Sequence, residues 1–83
     1  MDVFARKTLV SEYLCKAAGQ QNLNETVDIF EAGLVNSLAT IQLIAFLEKN
    51  FKIKVGLDDL DRANFNSIQA VCDFLDRKVA VSA

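Results

Sequence analysis

Apolar residues recur with helical spacing in three segments of the chain. In the first, residues 2–18, apolar side chains at intervals of seven, four and three share one helical face: Val3, Val10, Leu14 and Ala17. Asp2 can cap this helix, and Gly19 is a typical stop. Residues 19–36 have no clear period, but their apolar side chains predict an ordered loop pinned across the core: Leu23, Val27, Ile29, Phe30 and Leu34.

The second helix is predicted to start at Asn36 or Ser37 and to continue to about Phe51. Gly33 precedes it as a bend, and its inward row follows a spacing of three and four: Leu43, Ile44, Leu47 and Phe51. Residues 51–55 then alternate with period two, like a strand. Because no second alternating run is present to pair with it, we expect an extended connector that ends at Gly56.

The rest of the chain predicts one short helix and one long helix. The acidic residues Asp58, Asp59 and Asp61 fit one or two short turns, anchored by Leu60 and Phe65. Asn66 can cap the last helix, with Gln69 completing a capping box, and that helix is expected to end near residues 78–79. Its buried stripe is Ile68, Val71, Cys72, Leu75 and Val79. The predicted fold is all-α: a four-helix bundle of three longer helices and one short helix, in a single domain spanning residues 1–83.

The composition of the chain limits the classes of function that it can have. A chain of 83 residues and 9.2 kDa with 52% hydrophobic residues, no Pro and no Trp fits one small helical domain. A net charge of −2 without a basic stripe argues against nucleic acid as a partner. The longest apolar run, residues 43–47, is too short for a membrane span, and no secretory signal is present, so we expect a cytoplasmic monomer.

Side chains suited to catalysis or metal binding are scarce. The sequence contains no His, the commonest general base and metal ligand. Cys15 and Cys72 are too far apart for a metal or redox motif, and we expect both to be small buried hydrophobic residues. The chain is therefore not expected to be an enzyme or to hold a metal ion.

Ser37 is the main candidate for chemistry. It lies in the first turn of the strongest helix, where backbone N–H groups lack partners and the helix dipole favours an anion, so a phosphate ester is accommodated there. The alternative is that Ser37 only helps to cap the helix.

The segment around Ser37 resembles the acyl and peptidyl carrier proteins of fatty-acid, polyketide and nonribosomal peptide synthesis. The resemblance is carried by Gly33, Leu34, Asn36, Ser37 and Leu38, followed by the amphipathic second helix, and it extends over nearly the whole chain. It implies that Ser37 receives 4′-phosphopantetheine from coenzyme A through a Mg-dependent phosphopantetheinyl transferase. It also implies an acyl- or aminoacyl-loading enzyme and a downstream tailoring enzyme or synthase as partners.

Two features depart from the common family pattern. Asn36 replaces the usual Asp before the serine, which preserves a cap but removes a negative charge. The outer face of the second helix lacks the usual acidic patch, and the residues assigned to partner recognition are Ala39, Ile41, Gln42, Ala45, Phe46 and Lys49. Shape and apolar contacts from Leu38, Ile41, Ala45 and Phe46 are expected to replace the missing charges. Phe46 is also a candidate for the core, and the basic residues Lys49, Lys52 and Lys54 are expected to form a solvated edge.

Within the family, the segments 28–38 and 59–68 look most like small carriers of unusual polyketide extender units. The presence of Met1 and the absence of a flanking linker favour a free-standing carrier. A D-alanyl or other aminoacyl carrier with an adenylating partner and a fatty-acid carrier are alternatives. An unmodified helical protein-interaction module is the alternative from another class.

Overall fold

The computed structural model describes the backbone of residues 3–82 and the side chains of residues 4–79. Three α-helices are present: α1 (Val3–Ala18), α2 (Ser37–Phe51) and α3 (Ile68–Ser82). Two single-turn 3-10 helices, Leu57–Asp59 and Arg62–Asn64, precede α3. The described residues contain no strand, which confirms the all-α prediction, and the predicted short helix takes the form of these two turns.

One apolar core lies between the helices and the long loop. α1 packs mainly against α3. Burial agrees with the predicted faces at most positions, and the buried hydrophobic residues are Val10, Leu14, Ile29, Leu43, Leu47, Ile53, Phe65, Ile68, Val71, Phe74 and Leu75. Phe74 was not predicted for the core. Its ring meets that of Phe65 edge to face, with centroids 5.1 Å apart, so it fills space beneath the second 3-10 turn.

The loop between α1 and α2 is ordered and pinned, as predicted. It leaves α1 at Gly19, whose φ of 70° is a left-handed conformation that glycine adopts without strain. Ile29 is almost fully buried, and its backbone N–H donates to the carbonyl oxygen of Asn66 at 2.8 Å. The loop is therefore fixed to the segment that enters α3.

The connector after α2 is extended, also as predicted. Lys52 ends the helix with φ 54°, and Ile53 anchors the connector in the core. The N–H of Val55 donates to the Glu48 carboxylate at 3.0 Å, which holds the connector against α2.

Four details of the predicted helices were wrong. Ser67, and not Asn66, caps α3, because its Oγ accepts from the N–H of Ala70 at 3.0 Å. The Gln69 side chain donates to Asp73 and forms no capping box. Ala17 is exposed on α1. α3 continues to residue 82 instead of ending near residue 79, since no helix-breaking residue follows Lys78.

Leu60 was predicted to anchor the short helix, but 53% of it is exposed. The anchor of this segment is Phe65, since a 3-10 turn is too short to bury both. Met1 and Asp2, the predicted cap of α1, lie outside the described residues, and so does the side chain of Val3.

Candidate functional site

The approach to α2 is a bend held by backbone hydrogen bonds. Gly33 has a φ of 72°, and the N–H groups of Leu34 and Val35 both donate to the carbonyl oxygen of Ile29, at 3.0 and 3.3 Å. The side chains of Leu34 and Val35 pack against the core. The chain therefore enters α2 from a fixed direction, which fixes the position of the first helical residue, Ser37.

Asn36, and not Ser37, caps α2. Asn36 has an extended backbone, and its Oδ1 accepts from the N–H of Ala39 at 3.1 Å. This confirms that Asn at this position still caps the helix, and it removes the alternative in which Ser37 serves as the cap.

The Ser37 hydroxyl is exposed at the first helical position, and no described residue hydrogen-bonds to it. The backbone N–H groups of Ser37 and Leu38 likewise have no acceptor in the described part of the chain. These groups give the start of α2 a partial positive charge next to the exposed oxygen.

A cleft of about 560 Å³ opens beside Ser37. Two parts of the chain line it: the loop with the first turns of α2, and the segment that contains the second 3-10 turn. Its lining residues are Phe30, Val35, Asn36, Ser37, Thr40, Ile41, Leu60, Asp61, Arg62 and Phe65. A lining that combines apolar, polar and charged side chains suits a group that has both a charged and an uncharged part.

Arg62 is a residue of this cleft to which the sequence analysis assigned no role. Its guanidinium lies over the Phe30 ring, 5.0 Å from the centroid, and 3.8 Å from Asp28 Oδ1. In the sequence it is a single basic residue after an acidic stretch, which is too weak a signal to place it beside Ser37.

Asp28 holds the loop wall of the cleft. Its Oδ1 accepts from the N–H groups of Glu31 and Phe30, each at 3.0 Å, and its Oδ2 accepts from the Asn66 side chain at 3.4 Å. The N–H of Glu31, then that of Phe30, and then the charge of Arg62 lower the carboxyl pKa of Asp28 below its ordinary value.

The three acidic residues of the loop differ in exposure, and only Glu31 is exposed. Asp28 is half-buried and bonded, and Glu25 is half-buried and paired with Lys7. Because Asp28 is held by the protein, its charge does not point freely into the cleft.

The residues predicted for partner recognition separate into two groups. Five are exposed: Leu38 (61%), Ile41 (65%), Gln42, Ala45 and Lys49. Ala39 and Phe46 are half-buried, and the Phe46 ring stacks on Tyr13 with centroids 4.1 Å apart. The structure thus supports the core alternative for Phe46.

Two leucines outside α2 are also exposed. Leu57 is 88% exposed and Leu60 is 53% exposed, and Leu60 lines the same cleft as Ser37 and Ile41. Sequence analysis did not assign them to recognition, because an apolar residue in a short helix normally predicts an anchor. Lys49, Lys52 and Lys54 are all exposed, as predicted.

The described residues offer little for catalysis. Cys15 and Cys72 are free and half-buried, rather than fully buried as expected, and desolvation raises the pKa of the Cys72 thiol, which makes it less nucleophilic. No group of three or more potential metal ligands occurs among the described residues. None of the described helices has the length and apolar composition of a membrane span.

Residues 7–75 match the family model described as a phosphopantetheine attachment site. The D-alanyl carrier protein of Streptococcus uberis (strain ATCC BAA-854 / 0140J) is 37% identical over 46 residues, which cover 55% of this chain and 58% of the relative.

The D-alanyl carrier protein of Streptococcus pyogenes serotype M1 is 39% identical over 44 residues, covering 53% of this chain and 56% of the relative. The match thus spans little more than half the length of these curated relatives.

Proposed function

The chain belongs to the phosphopantetheine-attachment family of acyl and peptidyl carrier proteins, and from this membership we propose that Ser37 carries the 4′-phosphopantetheine. The observation that carries the proposal is the exposed Ser37 hydroxyl, which is free of the cap, at the N-terminus of α2 and on the rim of the cleft. The family itself is not catalytic. When attached, 4′-phosphopantetheine supplies a thiol that holds an acyl or aminoacyl group as a thioester.

The residues around Ser37 fit a phosphate ester. Ser37 presents its oxygen to a docking transferase, while the N–H groups of Ser37 and Leu38 offer donors to phosphate oxygens. Asn36 satisfies the N–H of Ala39 without adding a negative charge. No proton transfer by this chain is required, because the transferase activates the hydroxyl.

We assign the cargo to the aminoacyl class, with D-alanyl as the first candidate. The names of the relatives support this assignment, and they do not support the polyketide extender unit that the sequence analysis favoured. The resemblance of segments 28–38 and 59–68 to extender-unit carriers did not discriminate between subgroups, and segment 28–38 contains the attachment motif that the whole family shares.

The partners that this function needs are a phosphopantetheinyl transferase, an adenylating enzyme that loads the amino acid, and an acceptor enzyme. Leu38 follows Ser37 directly, Ile41 and Leu60 line the cleft beside it, and all three are exposed apolar side chains. We assign docking to these side chains, since apolar contacts at the centre of an interface supply most of its binding energy.

Intact-mass spectrometry tests the attachment residue. The purified protein is incubated with coenzyme A, Mg²⁺ and a broad-specificity transferase, together with Ser37→Ala and the control Ser11→Ala. We expect one phosphopantetheinyl group on the wild type and on the control, and none on Ser37→Ala. Modification of Ser37→Ala would reject the assignment, and no modification of any protein would favour an unmodified interaction module.

The cargo is tested on the modified protein. It is incubated with ATP, a D-alanine-activating ligase and either D-alanine or L-alanine, and in a second arm with a malonyl-transferring enzyme and malonyl-coenzyme A. We expect a hydroxylamine-sensitive mass gain with D-alanine. Loading by malonyl alone would support the extender-unit class instead.

A further inference from the structure

The two charged residues that line the cleft differ in whether they already have a hydrogen-bond partner. Among the described lining residues, Asp61 is the anion and Arg62 the cation. The Asp61 carboxylate accepts from the N–H of Ala63 at 2.9 Å and so caps the second 3-10 turn. The guanidinium of Arg62 donates no hydrogen bond to any described residue, and its side chain is 59% exposed.

Arg62 is nevertheless held in place by two contacts. The guanidinium carbon lies over the Phe30 ring, 5.0 Å from its centroid, and Asp28 lies 3.8 Å from one of the guanidinium nitrogens, which is an ion pair without a hydrogen bond. Because the guanidinium donates no hydrogen bond to a described residue, its N–H groups are available to an anion. Little side-chain entropy is then lost when an anion binds.

We propose that Arg62 binds the phosphate of the 4′-phosphopantetheine group on Ser37 and so positions that group over the cleft. The proposal rests on the attachment at Ser37 described above. Arginine can form two parallel hydrogen bonds with phosphate oxygens, and the N–H groups at the start of α2 provide donors on the serine side. Asn36 adds no competing charge, and Asp28 is already occupied by the N–H groups of Phe30 and Glu31.

A double-mutant cycle between modification and residue 62 tests the contact. Urea unfolding is measured for the unmodified and modified forms of the wild type, Arg62→Gln and Arg62→Lys. The effect of Arg62→Gln on the unmodified protein reports the lost contacts with Phe30 and Asp28. The difference between the two forms reports the coupling between residue 62 and the attached phosphopantetheinyl group.

The matched control is Arg77→Gln. Arg77 also lies over a phenylalanine, 5.9 Å from the Phe74 centroid, and it hydrogen-bonds to Asn64, but it does not line the cleft. We compare the factor by which modification raises the folding equilibrium constant. This factor should be about 1.5- to 5-fold larger in the wild type and in Arg77→Gln than in Arg62→Gln, which is the range of an exposed ion pair. Arg62→Lys, which keeps the charge and loses the fork, should be intermediate.

Arginine side-chain NMR provides a readout that does not require a stability change. On modification of the wild type, the Nε–Hε resonance that Arg62→Gln removes should shift, while the one that Arg77→Gln removes should stay in place. An unmoved Arg62 resonance, or equal coupling for residues 62 and 77, would overturn the role of Arg62 and leave the attachment intact. Failure of the wild type to gain mass would overturn both.

Discussion

The hydrogen bond between Asn36 and Ala39 makes it possible to separate the structural role at the start of α2 from the chemical one. Asn36→Ala removes the acceptor of the Ala39 N–H, which lies 3.1 Å from Oδ1. Ser37→Ala removes a hydroxyl that hydrogen-bonds to no described residue, at a position whose backbone is already helical. Asn36→Ala should therefore lower stability without preventing modification, whereas Ser37→Ala should prevent modification without lowering stability.

The magnitudes follow from the capping geometry. Loss of an Asn cap costs about 1 kcal/mol, within a range of about 0.5 to 2. For a domain of this size that lowers Tm by roughly 4 to 8 °C. Ser37→Ala exchanges one residue for a better helix former and should change the free energy of unfolding by less than about 0.5 kcal/mol. Asn36→Asp keeps the cap and serves as the control.

The assay is thermal and urea unfolding of the unmodified proteins, followed by circular dichroism, with intact-mass measurement of modification in parallel. Asn36→Ala should be less stable yet still accept phosphopantetheine when folded, whereas Ser37→Ala should be stable and remain unmodified. A loss of stability in Ser37→Ala equal to that in Asn36→Ala would refute the argument, because it would show that the hydroxyl supports the helix.

Three further outcomes are expected. Phe46→Ala should lower the free energy of unfolding by roughly 2 to 3 kcal/mol, because the stack on Tyr13 is lost. Ile41 is exposed, so Ile41→Ala should change the free energy of unfolding by less than about 0.5 kcal/mol and should weaken transferase binding. Urea unfolding measures the first quantity and titration calorimetry the second. Acidification should destabilise the fold. A hydrogen bond from Lys78 lowers the pKa of Asp59, and a hydrogen bond from the N–H of Glu31 lowers the pKa of Asp28. The two carboxylates therefore stabilise the folded state above the ordinary pKa of 3.8, and this contribution is lost as the pH falls through their lower pKa values in the folded state. Urea midpoints between pH 6 and 2 should fall less for Asp59→Asn than for the wild type. Because the exposed face of α2 is poor in acids, partner affinity should change little between low and physiological salt, and a steep loss in calorimetry would contradict apolar docking.

The helices could be predicted because each has a periodic core face and a local start or stop signal. Leu43 and Leu47 mark the inner face of α2, and Gly19 and Gly33 lie at the bends where the structure has positive φ. These signals depend on residues close in sequence. The same is true of Asn36, whose capping bond spans only three residues.

The features that escaped prediction depend on contacts between distant segments. The role of Asp28 requires Asn66, 38 positions away, and the position of Arg62 requires Phe30. The side of α2 on which Phe46 lies was ambiguous until Tyr13 of α1 was placed against it. Periodicity gives the angle of a side chain around its own helix, and it cannot tell which neighbour fills the space opposite.

An attachment residue must be both accessible to other enzymes and fixed in position, and these two requirements usually conflict. In this chain the neighbours of Ser37 provide the fixation: Asn36 caps the helix, and Leu34 and Val35 pack against the core. Asp28 ties the loop to the entry of α3. The serine itself is exposed and donates no hydrogen bond to a described residue, so we expect it to contribute little to stability. It follows that substitutions in the supporting residues should impair modification through the fold, whereas only Ser37 should abolish modification with the fold unchanged.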